Sequence, residues 1–121
     1  MTHSFHTYVT REIPAVGLNL LTAAGSVESW QGDTPPPHEE LLARVAESDA
    51  LLCLLTDRID AEVLDAAPRL KVVSTYAVGT DNIDVAAATE RGICVCNTPG
   101  ILTEATADTA WALLLAASRR V

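Results

Sequence analysis

The stretch "ALLCLLTDRIDAEVLDAAPRLKVVST", residues 50–75, carries the alternation on which the fold depends. Its first part, "ALLCLL", is continuously apolar, as expected for a strand that is covered on both faces of a parallel sheet. "DAEVLDAAP" is typical of a short helix, with Asp60 as its N-cap and Pro68 closing it. "LKVVST" is again strand-like. The stretch therefore predicts one β-α-β unit.

The same alternation extends over the rest of the chain. The pattern predicts strands at 5–10, 26–30, 50–55, 70–75 and 93–97, and helices at 13–24, 38–47, 60–68, 82–92 and 102–120. Strict alternation of this kind implies a parallel sheet with helices on both faces. We therefore expect an α/β fold, a flavodoxin-like doubly wound five-stranded parallel sheet with the strand order 2-1-3-4-5.

Length and charge limit the functions to consider. The chain has 121 residues, enough for one core, and its formal net charge of -8 argues against nucleic acid or an anionic membrane as a partner. The N-terminus lacks a signal pattern, and the longest apolar run, "AWALLLAA", is far shorter than a membrane span. These features predict a soluble cytoplasmic protein.

Three cysteines lie in apolar strand-like runs. Because Cys53, Cys94 and Cys96 are too few for a disulfide framework, we expect buried, reduced thiols, with a redox or metal role as the alternative. Cys94 and Cys96 share one strand face. Two ligands do not make a zinc site, so no metal site is predicted.

The loop in "STYAVGTDNID", residues 74–84, follows the fourth strand and allows two interpretations. It is either a turn that needs Gly79 for its backbone angles, or an anion site in which turn N–H groups stay open beside a helix N-terminus. In both cases Asp81 or Asn82 is expected to cap the next helix. Ligands of such sheets bind beyond the carboxyl ends of the strands, which favours this loop as a site.

Asp57 follows the third strand and has three interpretations: a general base, a phospho-acceptor or a solvated surface residue, the last being favoured. A receiver or signalling domain with Asp57 as its phospho-acceptor is the alternative function. Such a domain also needs an acidic pair after the first strand and a lysine after the fifth. Here those places hold Arg11-Glu12 and "NTP", residues 97–99.

The last helix is unusual because apolar side chains surround it. Trp111 and the run 113–115 do not form one stripe with the other apolar residues, which indicates a helix that is buried on more than one side. A lone five-stranded domain covers one side of such a helix. The chain ends directly after it, so we expect an interdomain helix in a chain that has been cut short.

The stretch "LKVVSTYAVGTDNIDVAAATERGICVCNTPGILTEATADTAWALLLAASRRV" resembles the D-isomer-specific 2-hydroxyacid dehydrogenases, and most of all their glyoxylate and hydroxypyruvate reductase branch. "TREIPAVGLNLL" and "ALLCLLTDRIDAEVLDAAPRLK" are similar to the same branch. The resemblance therefore covers nearly the whole chain.

The resemblance implies a division of the chain and a set of site residues. Residues 1–101 would be the N-terminal part of the substrate-binding domain, and 102–121 a helix leading into a Rossmann NAD(P)-binding domain. The amides of Val78 and Gly79 would hold the substrate carboxylate, Leu54 and Leu55 would border the pocket, and Thr106 would contact the nicotinamide side of the cofactor.

It also implies an activity: NAD or NADP would be the cofactor, and a small 2-oxo acid such as glyoxylate or hydroxypyruvate would be reduced to a D-2-hydroxy acid in a homodimeric enzyme. The catalytic arginine, glutamate and histidine would lie beyond Val121. The pyrophosphate motif G-x-G-x-x-G does not occur in these 121 residues. We therefore expect the chain alone to bind no dinucleotide and to be inactive.

Overall fold

The computed structural model describes residues 4–121 and contains five strands that alternate with five helices. In chain order these elements are β1 His6–Val9, α1 Ala15–Ala24, β2 Ser26–Ser29, α2 His38–Val45, β3 Ala50–Cys53, α3 Ala61–Asp65, β4 Val72–Thr75, α4 Val85–Glu90, β5 Cys94–Cys96 and α5 Thr103–Arg119.

All strand pairs are parallel, and the order across the sheet is β2-β1-β3-β4-β5. The predicted α/β class and strand order are thereby confirmed. The register brings Tyr8 opposite Leu51 and Leu51 opposite Val73, so these three side chains form a row on one face. The carboxyl ends of β3 and β4 lie side by side, which brings the loops after them together.

The face that carries Tyr8, Leu51 and Val73 holds the core. The core residues of α2, α3 and α4, among them Val45 and Val63, cluster with this row and are almost completely buried. Each fully buried side chain of this size contributes about 1.5–3 kcal/mol through removal of apolar surface from water. This face of the sheet therefore supplies most of the stabilisation.

Two helix termini follow local sequence signals, and one departs from its prediction. The side chain of Asp60 accepts a hydrogen bond from the Val63 amide at 3.2 Å, as predicted for the N-cap of α3. Helix α4, however, begins at Val85 and is capped by Asp84, which accepts from the Ala87 amide at 2.9 Å. The prediction that Asp81 or Asn82 caps this helix is wrong, because Asn82 is engaged with the neighbouring loop.

The opposite face of the sheet is buried at β1 but open at its β5 edge. Helix α1 lies beside β2 and has no buried residue, and its Val16 and Leu20 are exposed. Cys94 and Cys96 are exposed on β5, so the prediction that they are buried is wrong. A continuously apolar strand is expected to be covered on both faces. Among the described residues, no element covers the second face of β5. Cys53, on the core face, is buried as predicted.

Helix α5 has no buried residue at all. Trp111 is 63 % exposed and Leu113 is 66 % exposed. Both are among the apolar side chains from which the sequence predicted a helix buried on more than one side. Within residues 4–121, nothing provides that cover. No helix among these residues is long and apolar enough to cross a membrane.

Candidate functional site

An open cavity of about 610 Å³ lies between the loops that follow β3 and β4 and the first turns of α5. It brings together four of the five residues predicted for the site: Leu55, Val78, Gly79 and Thr106. Leu54 does not line it. The complete lining is Leu55, Tyr76, Ala77, Val78, Gly79, Leu102, Thr103, Thr106, Ala107 and Ala110.

The loop after β4 presents open amide groups. In the part of the chain that the structure describes, the backbone N–H groups of Val78 and Gly79 have no hydrogen-bond acceptor. The carbonyls of the same loop are in use, since Ala77 accepts from the Thr98 amide at 2.9 Å and Val78 from the Asn97 side chain at 2.7 Å. The loop is thus tied through its acceptors while two donors remain available.

Gly79 is not required by the conformation of the backbone. Positive φ angles among the glycines occur at Gly92 and Gly100, not at Gly79. A Cβ built on Gly79 would meet the Asp81 Oδ2 atom at 3.8 Å, an ordinary contact. The interpretation that the turn needs glycine for its angles is therefore wrong. Because Gly79 has no side chain, a ligand can reach the amides of Val78 and Gly79.

The electrostatic source of this site differs from the predicted one. Because α4 begins at Val85, the open amides of Val78 and Gly79 are separated from its N-terminus by the segment 80–84. The partial charge of a helix terminus acts within its first turn, so α4 does not act directly on the loop. The donors at the cavity are the dipoles of two loop amides.

Asn82 joins the two loops, a role that sequence reasoning missed. Its Nδ2 atom donates to the carbonyl oxygens of Leu54 at 3.0 Å and Asp57 at 2.9 Å. The Ile59 amide donates in turn to the Asn82 carbonyl at 2.8 Å. The pair Asp81-Asn82 suggested a helix start. The loop that Asn82 binds is too distant in sequence for a local signal to show the contact.

Asp57 is a buried structural carboxylate. It is 3 % exposed, so the prediction of a solvated surface residue is wrong. Its Oδ2 atom accepts from the Thr10 hydroxyl and, at 2.7 Å, from the Leu54 amide. Arg11 approaches its Oδ1 atom at 3.8 Å and donates to the Thr56 hydroxyl at 2.9 Å. These contacts attach the loop after β3 to the end of β1.

Cys53 is the last residue of β3, directly before this loop, and its thiol has low reactivity. Burial, and then the charge of Asp57, raises the pKa of its thiol to about 12. The thiol is therefore protonated at neutral pH and is a poor nucleophile or metal ligand. Cys53 belongs to the buried core and does not line the cavity.

The cavity can hold a small ligand, but its lining contains no carboxylate, histidine, lysine or cysteine that could act as a catalytic group. The lining residues are apolar apart from Tyr76 and the threonines Thr103 and Thr106, and none is an Asp, Glu, His, Lys or Arg. Among the described residues, no three His, Cys, Asp or Glu side chains are grouped so as to hold a metal ion. The arrangement suits an anion or polar group at the amides and an apolar group against Leu55 and α5.

Comparisons with known proteins agree on one family. A sequence profile described as "D-isomer specific 2-hydroxyacid dehydrogenase, catalytic domain" matches residues 7–119. A glyoxylate reductase of Aeropyrum pernix is 57 % identical over 114 residues, which cover 94 % of this chain and 34 % of the relative. One from Korarchaeum cryptofilum is 56 % identical with the same coverage. The chain thus spans about a third of the length of these relatives.

Solved structures give the same result. The TT0316 protein from Thermus thermophilus superimposes with a TM-score of 0.90 at 50 % identity, covering 96 % of this chain and 37 % of that one. An NADPH-dependent glyoxylate/hydroxypyruvate reductase from Sinorhizobium meliloti, solved with NADP and malonate, has a TM-score of 0.72 at 28 % identity. It is matched over 94 % of this chain and 34 % of its own. No support is found for the receiver-domain alternative, and Asp57 is too buried to be a phospho-acceptor.

Proposed function

Because the chain belongs to the D-isomer specific 2-hydroxyacid dehydrogenase family, we propose that it is the carboxylate-holding part of an NAD(P)-dependent reductase of small 2-oxo acids. The observation that carries this proposal is the pair of open amides, Val78 and Gly79, on the wall of the cavity. Two neighbouring donors without acceptors are suited to the two oxygens of a carboxylate.

The binding step follows from this geometry. A substrate carboxylate lies against the Val78 and Gly79 amides, each of which contributes about 1.5–3 kcal/mol as a hydrogen bond to a charged group. Leu55 borders the pocket and helps to exclude water. The adjoining loop at Leu54 is held by Asn82 and Asp57. Since no cationic side chain lines the cavity, the 2-oxo group remains free to meet catalytic groups from outside this chain.

A nicotinamide cofactor fits part of this site. Thr106 lines the cavity on α5, and its hydroxyl has no hydrogen-bond partner among residues 4–121. It would face the nicotinamide ring, which in its reduced form would supply the hydride. The pyrophosphate would be held elsewhere, because no G-x-G-x-x-G motif occurs in the 121 residues. NAD and NADP remain equal candidates from this chain alone.

The substrate class comes from the relatives. The relatives from Korarchaeum cryptofilum and Aeropyrum pernix are named glyoxylate reductases, and one structural relative was solved with malonate, a small dicarboxylate. We extend this to small 2-oxo acids of the glyoxylate and hydroxypyruvate type, interconverted with D-2-hydroxy acids. The arginine, glutamate and histidine of catalysis are expected beyond Val121. The chain alone should then reduce no glyoxylate with NADH or NADPH, and activity of the purified chain above background would contradict this.

The wider organisation is proposed on the same basis. Residues 1–101 would form part of the substrate-binding domain, and 102–121 would lead into a dinucleotide-binding domain. A homodimer is supported by the exposed apolar surface of α5, and a cytoplasmic location by three free cysteines. The net charge of -8 disfavours nucleic acid and anionic membranes as partners.

The proposal is tested by Gly79→Val in a protein that joins this chain to its dinucleotide-binding domain. The new side chain would obstruct the amides without forcing an unfavourable φ, so KM for the oxo acid should rise about 10- to 100-fold, the equivalent of one charge-assisted hydrogen bond. Ala23→Val, on the exposed surface of α1, is the control and should leave KM unchanged. A folded Gly79→Val variant with an unchanged KM would show that the loop is a plain turn.

A further inference from the structure

Two thiols lie next to each other at the open β5 edge of the sheet, on the face opposite the core. Cys94 and Cys96 are the first and third residues of β5, so their side chains point to the same face. Both are exposed, and their Sγ atoms are 3.9 Å apart. Val95 between them packs against the core on the other face, which anchors the strand that carries the pair.

The two sulfurs interact with each other and with no other side chain that the structure describes. Their register neighbours on β4 are Val72 and Ser74, which carry no charge. The hydrogen bond from or to Cys94, followed by partial desolvation, raises the pKa of the Cys96 thiol. The Cys96 thiol is therefore not activated as a single nucleophile, and the feature that sets this site apart is the closeness of two sulfurs.

The separation of the sulfurs suits a bridging atom better than a direct bond. A disulfide requires the sulfurs at about 2.05 Å and the Cα atoms within about 6.8 Å, whereas alternate residues of a strand are about 6.6 Å apart along it, near that limit. Two bonds of about 2.3 Å to one shared atom, at an angle of about 90–110°, in contrast, place the sulfurs about 3.3–3.8 Å apart. The observed 3.9 Å lies just above this range, so a small side-chain rotation would bring both sulfurs onto one shared atom.

We propose that Cys94 and Cys96 form a dithiol site for a thiophilic acceptor that bonds both sulfurs, with trivalent organoarsenicals as the ligand class. In the reaction an arsenoxide loses its oxygen, two As–S bonds form, and the two thiol protons leave with that oxygen as water. Arsenic stays trivalent, so no oxidant or reductant is needed. A tetrahedral cation such as zinc would need further ligands, and the described residues group no third His, Cys, Asp or Glu with the pair.

The test uses the 121-residue chain and phenylarsine oxide as the probe. We expect one adduct per chain, located by mass spectrometry on the tryptic peptide 92–119, which carries both cysteines, and not on peptide 45–58, which carries Cys53. Cys94→Ser and Cys96→Ser should each weaken binding about 100-fold or more, because the second bond is then lost from an effectively intramolecular pair.

Cys53→Ala is the matched control, since it removes a thiol from the opposite face and should leave the affinity unchanged. A dithiol competitor should release the probe, whereas a monothiol at equal thiol concentration should not. Equal affinity of the single serine variants and the parent chain would overturn the proposal. Absence of an adduct, or an adduct on peptide 45–58, would overturn it as well. Because the peptide map is read from the parent chain, the test does not depend on the folding of any variant.

Discussion

The α2–α4 side of the sheet and helix α5 are both rich in apolar residues, yet they end in opposite environments. Leu51 is 1 % exposed in the core, whereas Leu114 on α5 is 58 % exposed. Apolar composition therefore does not by itself bury a residue. Burial needs a partner surface, which β3 and β4 find in α2, α3 and α4, and which α5 does not find within the described residues.

The largest difference between the two regions should appear in amide hydrogen exchange. Amides of β3 and β4 should open only with the whole fold, at a cost of order 5–15 kcal/mol, while those of α5 should open at close to zero cost. The measurement belongs at a concentration where light scattering shows a monomer. Full protection of α5 in that monomer would mean that the helix is packed in solution, and the comparison would fail.

Matched truncations test the same contrast by stability. Leu51→Ala should lower the free energy of unfolding by about 2–5 kcal/mol, because it leaves a cavity in the core. Leu114→Ala should change it by no more than about 0.5 kcal/mol, because the side chain is exposed. Urea denaturation of the two variants gives both values. A similar loss in both would contradict the open position of α5.

A third substitution tests the junction that holds the candidate site to the core. Asn82→Ala should cost about 1–3 kcal/mol, since the carbonyls of Leu54 and Asp57 lose their side-chain donor. It should also lower exchange protection in the loops 54–57 and 80–84. Asn19→Ala, on the exposed surface of α1, is the control and should leave both measurements unchanged. Unaltered loop protection in Asn82→Ala would show that the loops are held in another way.

Alkaline pH should weaken the core and not α5. Burial raises the pKa of Cys53 and of Tyr8 to about 12, so the folded chain keeps two protons that the unfolded chain releases earlier. Their contribution to stability is complete below the unfolded pKa values, about 8.5 and 10, and is lost as the pH rises towards 12. Denaturation between pH 8 and 11 should show this decline.

Tyr8→Phe is the variant that sharpens the pH experiment. It should reduce the alkaline slope, and at pH 7 it should cost little, because the Tyr8 hydroxyl is buried without a hydrogen-bond partner among the described residues. An unchanged slope in this variant would mean that Tyr8 does not titrate with unfolding.

Local patterns were sufficient for the order and direction of the strands. The alternation of short apolar runs with helical segments predicted five parallel strands in the observed order. Asp60 was recognised as an N-cap because the amide that it binds belongs to Val63, three residues away. Interactions of this range are visible in a sequence, since the chain itself brings the partners together.

Tertiary structure alone decided the environment of Asp57, Asn82, Cys94 and Cys96. The partners of Asp57 include Thr10, which is 47 residues away, and Asn82 reaches Leu54 across 28 residues. The exposure of the two cysteines depends on whether a helix lies over β5, and nothing within the strand encodes that. A local pattern indicates which interactions a residue is able to make. Whether the residue is buried, and which partner it binds, is decided by packing against elements that are distant in sequence.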